Sequence, residues 1–243
     1  MTNTDARSPF RRPGFIAAAI VIGVILLAGA IMLATSLFGG GNNTADPKPS
    51  PTTSTPVPPS AGTADASVCG LEGLDEENTL TAAPTNEWEL IGTVAAPTAS
   101  DRAGPGSVDD GFRTCFAHTT EGALFAAVNF VALSTDSRNT GQLYELIAAG
   151  PARDAAEAAG PTDVDPSGSR LQVAGFKVDS YSKGEATIDV AWTVTSQNNS
   201  LVSGPTVLRW EGGDWKVVIT ENGAPIAPGP IDNLGGYIPW AGV

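Results

Sequence analysis

The stretch Thr206-Val-Leu-Arg-Trp-Glu-Gly-Gly-Asp-Trp-Lys-Val-Val-Ile-Thr220 decides the fold of this chain, because it predicts a β-hairpin with a fixed register. Gly212 and Gly213 suit the two-residue turn that joins tightly paired antiparallel strands. This turn places Trp210 opposite Trp215, so both indoles lie on one face as a cross-strand aromatic pair. The stretch therefore predicts an antiparallel sheet that ends in a tryptophan-bearing hairpin.

The same register makes specific predictions about the other side chains of the hairpin. Opposite charges on neighbouring strands stabilise a sheet when they lie within reach of each other. The expected neighbours are Leu208 with Val217, Glu211 with Asp214, Arg209 diagonal to Asp214, and Glu211 diagonal to Lys216.

Upstream of the hairpin, apolar and polar residues alternate with the period of a β-strand. Residues 171–178 predict one strand with a bulge at Ala174-Gly175, residues 186–194 a second, and residues 204–210 a third. Clean alternation is typical of an antiparallel sheet with one buried face and one face in water. Asp189 belongs to the set that faces water.

Helical patterns precede these strands. Thr119 or Thr120 suits the N-cap of a helix, and residues 123–133 are apolar almost all round, which indicates a helix buried on most sides. We expect a second helix over residues 142–149 and a third short helix or turn over residues 152–159.

A buried helix followed by a curved antiparallel sheet that closes in the WE-GGDW-KVV hairpin resembles the NTF2-like (SnoaL-like) fold, over residues 116–221. The resemblance implies an α+β cone in which a curved antiparallel sheet surrounds the buried helix. The whole layout also resembles actinobacterial membrane proteins with one anchor, a Pro/Thr linker and a compact outer domain. It is similar in plan to conjugation-channel subunits of the TcpC type, whose outer parts serve in assembly.

The NTF2-like resemblance also implies a pocket at the open end of the cone, which enzymes of this fold use with an Asp or His base. His118 is the sole histidine, and a packing or capping role competes with a role as base. Asp189 with Tyr181 as donor would serve only if the inner face of the sheet were reversed. The tail residues Tyr237 and Trp240 are expected to occupy the cone mouth. These five residues are the candidate pocket or interaction residues, and we expect no catalytic residue, cofactor or bound metal.

Cys69 and Cys115 are the only cysteines, and we expect them to form a disulfide outside the membrane. A metal site is the weaker alternative, because two cysteines and one histidine supply too few ligands. The chain between them reads as an irregular wrap in which only residues 87–94 look like a strand. Trp88 and Ile91 are its expected anchors into the core.

The N-terminal part predicts a membrane anchor. Arg7, Arg11 and Arg12 precede an uncharged apolar run over residues 15–38. At about 1.5 Å per residue this run crosses a hydrocarbon core of roughly 30 Å. The arginines keep residues 1–14 cytoplasmic and direct the rest of the chain outward. A cleaved signal peptide is the competing interpretation, but its apolar region is usually shorter.

Residues 39–67 are rich in Pro, Thr, Ser and Gly and predict a disordered or semi-extended linker. Residues 68–243 then form one extracytoplasmic domain, with the wrap at 68–115 and a C-terminal tail at 222–243 that packs back on it. From Cys69 onward the chain carries 23 acidic and 9 basic residues, a net charge of −14. This charge repels phosphate backbones, so nucleic acid is excluded as a partner.

Two functions follow from these observations. The first is a non-enzymatic single-pass membrane protein whose outer domain binds other envelope proteins or copies of itself, within a conjugation or secretion system. The second is a membrane-tethered enzyme or small-ligand binder that uses the cone pocket.

Overall fold

The computed structural model describes residues 65–164, 170–219 and 228–241. These residues form an α+β fold in which a mixed sheet curls into a half-barrel around a buried helix. The predicted cytoplasmic tail, membrane span and nearly all of the linker lie outside the described residues. Within the described part, no helix has both the length and the apolar character needed to cross a bilayer.

Along the chain, short N-terminal strands are followed by a helical segment, then by three long strands and finally by three short ones. The strands are β1 (Glu87–Ile91), β2 (Val94–Thr98), β3 (Ser107–Asp109), β4 (Phe112–Thr114), β5 (Leu171–Tyr181), β6 (Glu185–Val194), β7 (Ser200–Glu211), β8 (Asp214–Val217), β9 (Gly229–Pro230) and β10 (Ile238–Pro239). The helices are α1 (Thr120–Ser134), α2 (Pro151–Ala159) and two 3-10 helices (Thr140–Leu146 and Thr195–Gln197).

The main sheet has the order β1-β2-β5-β6-β7-β8, with β10 added to β5 and β9 added to β7. Among the pairs of described strands in this sheet, only that of β2 with β5 is parallel, at Val94 and Leu171. The register of β5 against β6 shifts between Val173 and Gly175, where a bulge is predicted, and again between Val178 and Ser180. Bulges bend a strand and increase its twist, so they account for the curl of the sheet.

Helix α1 lies in the core, as its apolar composition predicts. Thr119 caps it by accepting a hydrogen bond from the Gly122 N–H at 3.0 Å. All but two of its fifteen residues are buried, and it packs against β2, β6 and β8. The only amide side chain in it, Asn129, donates to the carbonyls of Pro97 and Phe125 at 3.1 and 2.9 Å.

The C-terminal hairpin has the predicted register: Trp210 lies opposite Trp215, and the rings are 5.3 Å apart at 70°. This register also places Arg209 diagonal to Asp214 and Glu211 diagonal to Lys216, as predicted, but the ion pairs form along each strand instead of across it. Arg209 contacts Glu211 on its own strand at 3.2 Å, and Lys216 contacts Asp214 in the same way at 3.2 Å. Arg209 and Lys216 lie directly opposite each other, and each contacts the carboxylate two residues away on its own strand.

Four other boundaries differ from the sequence prediction. The strand expected over residues 87–94 is a hairpin of β1 and β2, because Gly92, with a φ of 54°, turns the chain. The helix expected over residues 142–149 is the 3-10 helix Thr140–Leu146, after which Ala148 donates to the Val217 carbonyl. The third helix begins at Pro151, and β7 begins at Ser200 rather than Gly204.

Residues 228–241, which we term the strap, pack back on the domain as predicted. The strap pairs with β7 through β9 and with β5 through β10, so it crosses from one strand to the other over β6. A Cβ at Gly175 would lie 2.9 Å from the Ile238 carbonyl oxygen, so this residue permits the close approach. The face of the sheet turned away from α1 is therefore partly covered rather than open to water.

Candidate interaction site

The predicted disulfide between Cys69 and Cys115 is present, with 6.1 Å between the two Cα atoms. Ser67, two residues earlier, donates to the Phe116 carbonyl at 3.2 Å, and the Val68 N–H donates to the Gly213 carbonyl at 2.9 Å. The ordered domain therefore already includes Ser67, which the sequence assigned to the linker. A bridge that closes a loop of this length contributes about 4 kcal/mol in the chain-entropy account.

His118 is buried, with 1% of its surface exposed. Its Nδ1 lies 2.8 Å from the Asp65 carbonyl oxygen, and its Nε2 contacts the Lys183 carbonyl oxygen. The ring also stacks on Trp210, with 3.8 Å between centroids and 4° between planes. Both nitrogens are thus engaged in joining Asp65 and the β5–β6 turn to the core.

Tyr181 lies next to this region, and its ring is 5.7 Å from that of Trp215. Its hydroxyl is buried and has no hydrogen-bond partner among the described residues. Burial raises the pKa of Tyr181, and the negative charge of Asp75 raises it further. His118 and Tyr181 therefore share Trp215 as a neighbour. Tyr181 does not donate to Asp189, so the two do not form the base and donor pair that a reversed sheet face would require.

The unpaired hydroxyl of Tyr181 gives a testable prediction. Tyr181→Phe is expected to raise the free energy of unfolding by about 1 kcal/mol, because it removes a buried polar group that has lost its hydrogen bond to water. Urea denaturation measures the change. Tyr144→Phe, at a half-buried position, is the matched control, expected within about 0.5 kcal/mol of the wild type. A loss of stability in Tyr181→Phe would contradict the prediction.

Asp189 and Tyr237 are brought together by the strap. The Tyr237 hydroxyl donates to Asp189 Oδ2 at 2.7 Å, and Lys177 Nζ lies 3.1 Å from the same oxygen. The contact of Lys177 with Asp189 is the main cause of the raised pKa of Lys177. Burial is the main cause of the raised pKa of Tyr237. Asp189 faces away from α1, as predicted, but it is 4% exposed instead of solvated, because the strap covers it.

Trp240 lies on the opposite face of the sheet from Tyr237. Its ring is 4.8 Å from Trp88, 5.8 Å from Phe125 of α1 and 5.6 Å from Phe176 of β5. Its Nε1 donates to Asn86 Oδ1 at 2.9 Å. Tyr237 and Trp240 therefore do not fill one pocket together: Tyr237 contacts the outer face of the sheet, and Trp240 inserts into the core.

Several polar residues that organise these regions were not selected from the sequence. Asp214 accepts hydrogen bonds from the backbone N–H groups of Cys115 and Phe116 at 3.0 and 2.8 Å. Arg113 is 1% exposed and contacts Glu89 at 2.6 Å. A carboxylate directly after a Gly-Gly turn looks like a solvated turn residue, so no local signal marks Asp214 as buried.

Strand β1 forms one edge of the main sheet. Ile91 and Val94 close a two-residue hairpin, so Leu90 and Trp88 fall at the alternate pairs, where the N–H and C=O groups point away from β2. Pro97, opposite Trp88, has no N–H group, which fits this pattern. The outward groups of Trp88 and Leu90 make no hydrogen bond to any described residue. The Leu90 residue is 73% exposed, which is unusual for a leucine in a sheet.

Comparison with known proteins places the chain in a family. Residues 48–239 match the family described as a domain of unknown function (DUF8175). The chain belongs to this family. The DUF8175 match takes in the disulfide, the main sheet and all but the end of the strap, and it leaves out the apolar run at residues 15–38. No curated protein and no solved structure matches the chain.

Proposed function

We propose that this DUF8175 protein is a single-pass membrane protein whose extracytoplasmic domain binds other envelope proteins through the edge of β1. The observation that carries the proposal is that the outward backbone groups of Trp88 and Leu90 have no partner among the described residues and lie beside an exposed leucine side chain. An open strand edge is a template for pairing with another chain, and natural proteins usually cover or block it.

Each of the other edges of the main sheet is paired at some of its described residues, which sets β1 apart. The Ala148 N–H pairs with Val217 on the outer side of β8. Strand β10 pairs with Gly175 and Phe176 on the free side of β5, and β9 pairs with Val202 and Ser203 on that of β7. An edge without any partner among the residues that the structure describes, in a sheet whose other edges are paired in part, is a candidate binding surface.

The junction between the linker and the domain supports a tethered module. Residues 65–69 are held by the disulfide, by Val68 on Gly213 and by Asp65 on His118. A disulfide suits an oxidising compartment outside the cytoplasm. The arginines before the apolar run at residues 15–38 favour the same orientation.

We further propose that the curled sheet around α1 is an NTF2-like cone and that the protein serves in a conjugation or secretion assembly of the TcpC plan. The bulges in β5 and the burial of α1 support the cone. The assembly role rests on the architecture of anchor, linker and outer domain. Adjacent genes for a conjugation ATPase would support it, and their consistent absence near DUF8175 genes would count against it.

Photo-crosslinking in native membranes tests the binding function. With a photoreactive amino acid at position 90 of the full chain, we expect a discrete adduct whose crosslinked peptide maps to one segment of a partner protein. The same amino acid at Ala158, an exposed position on α2, is the matched control and is expected to give no such adduct. If position 90 yields no adduct, or only the adducts that position 158 yields, the proposed function is wrong.

A further inference from the structure

We infer that the partner of β1 is an extended segment with alternating basic and apolar residues, which adds to the sheet as an antiparallel strand. This inference rests on the proposed function and specifies the chemistry of the partner. It follows from the side chains that border the open edge, because residues of an added strand alternate between the two faces of the sheet.

One face of β1 selects basic residues. Glu87 and Glu89 lie on this face, two residues apart, and both are exposed. Glu89 is contacted by Arg113 through Oε2 only, and its side chain remains 60% exposed. Opposite charges across neighbouring strands stabilise a pairing, so lysine or arginine belongs at the partner positions on this face.

The opposite face of β1 selects apolar residues. Leu90 is exposed on this face, and Trp88, its neighbour at i−2, is half-buried against Trp240. An added strand that places aliphatic side chains here removes the leucine from water and extends the core past Trp88. The outward N–H and C=O groups of Trp88 and Leu90 supply the hydrogen bonds.

A second copy of this chain fits the edge less well. Pairing β1 with β1 so that Trp88 lies opposite its own copy places Glu87 of one copy opposite Glu89 of the other, and pairing Trp88 with Leu90 places the two copies of Glu89 opposite each other. Like charges on facing strands destabilise the pairing, and the domain is strongly acidic throughout. The charges therefore favour a different, basic chain as the added strand.

The test uses the full chain in detergent and a fluorescent peptide with the sequence Lys-Val-Lys-Val-Lys-Val, monitored by fluorescence anisotropy. We expect it to bind about tenfold more tightly than a peptide of the same composition with the lysines and valines in separate blocks, since the block peptide loses the opposite-charge pairs. In the antiparallel arrangement the valines exchange hydrogen bonds with Trp88 and Leu90, so N-methylation of the valines is expected to abolish binding, whereas N-methylation of the lysines is not.

Two protein variants locate the binding surface. Leu90→Pro removes an outward N–H that the β1–β2 ladder does not use, so we expect binding to be lost while the thermal midpoint is retained. Glu87→Lys reverses one charge of the edge and is expected to weaken binding about tenfold, and the matched Asp109→Lys, on exposed strand β3, is expected to leave it unchanged. If Leu90→Pro fails to fold, the comparison of Glu87→Lys with Asp109→Lys still tests whether the peptide binds at the edge of β1.

Failure of the inference can be told apart from failure of the proposed function. Equal binding of the alternating, block and valine-methylated peptides would overturn the inference, as would equal effects of Glu87→Lys and Asp109→Lys. If position 90 nevertheless crosslinks to a discrete partner segment in membranes, the binding function stands and only the class of partner is wrong. If crosslinking fails as well, both are wrong.

Discussion

Replacing Asp214 with alanine is expected to lower the free energy of unfolding by about 3–5 kcal/mol, because it breaks a buried, charged hydrogen-bond network. Asp214 is 2% exposed and accepts from the backbone N–H groups of Cys115, Phe116 and Trp215 and from Lys216 Nζ. Without the carboxylate, the N–H groups of Cys115 and Phe116 stay buried and lose their acceptor. Guanidinium denaturation with the disulfide intact measures the loss.

Two variants make the result for Asp214 specific. Asp214→Asn keeps one oxygen acceptor and is expected to lose less stability than the alanine variant. Asp179→Ala removes a carboxylate that is 39% exposed, and it is expected to change stability by no more than about 0.5 kcal/mol. A loss in Asp214→Ala as small as that in Asp179→Ala would show that the carboxylate does not organise the junction between Cys115 and the hairpin.

Trp240→Ala is expected to lower the free energy of unfolding by about 3–5 kcal/mol, the usual range for removing a buried aromatic side chain. The ring contacts Trp88, Phe125 and Phe176, which come from three different elements, so its loss leaves a cavity between β1, α1 and β5. We also expect faster hydrogen exchange at β10, because Trp240 holds the strap at the edge of β5.

Controls within the strap separate the role of the tryptophan from that of the tail as a whole. Trp240→Phe keeps most of the apolar contacts and loses the hydrogen bond to Asn86 and part of the ring volume, so we expect a smaller loss. Leu234→Ala, at a half-buried position of the strap, is expected to cost about 1 kcal/mol. An unchanged thermal midpoint in Trp240→Ala would mean that the strap does not contribute to the core.

Local sequence signals predicted the elements that depend on neighbouring residues. The Gly212-Gly213 turn fixed the pairing of Trp210 with Trp215, because a two-residue turn leaves a single register. The apolar run after Thr119 predicted a buried helix, and the cap lies where expected. The bulge near Ala174-Gly175 was also visible, since the alternation of apolar residues slips there.

Features that depend on residues far apart in the chain were predicted poorly or not at all. The burial of Asp214 was missed because the N–H groups that bind its carboxylate lie about a hundred positions earlier in the chain. Asp189 looked solvated because nothing in its own strand shows that Tyr237 covers it. The hairpin of β1 and β2 was missed because its turn is a single glycine followed by threonine, set among many other glycines and prolines.

The sequence by itself determined the periodic elements, the pairing of the only two cysteines and the acidic charge, because each follows from residue type and short-range spacing. Only the tertiary structure decided which polar groups are buried, which strand edges are covered and which edge stays open. These properties depend on where the strap, the disulfide-linked wrap and the segment after the 3-10 helix Thr140–Leu146 pack. Burial and edge pairing are set by contacts between distant segments, and no local pattern encodes them.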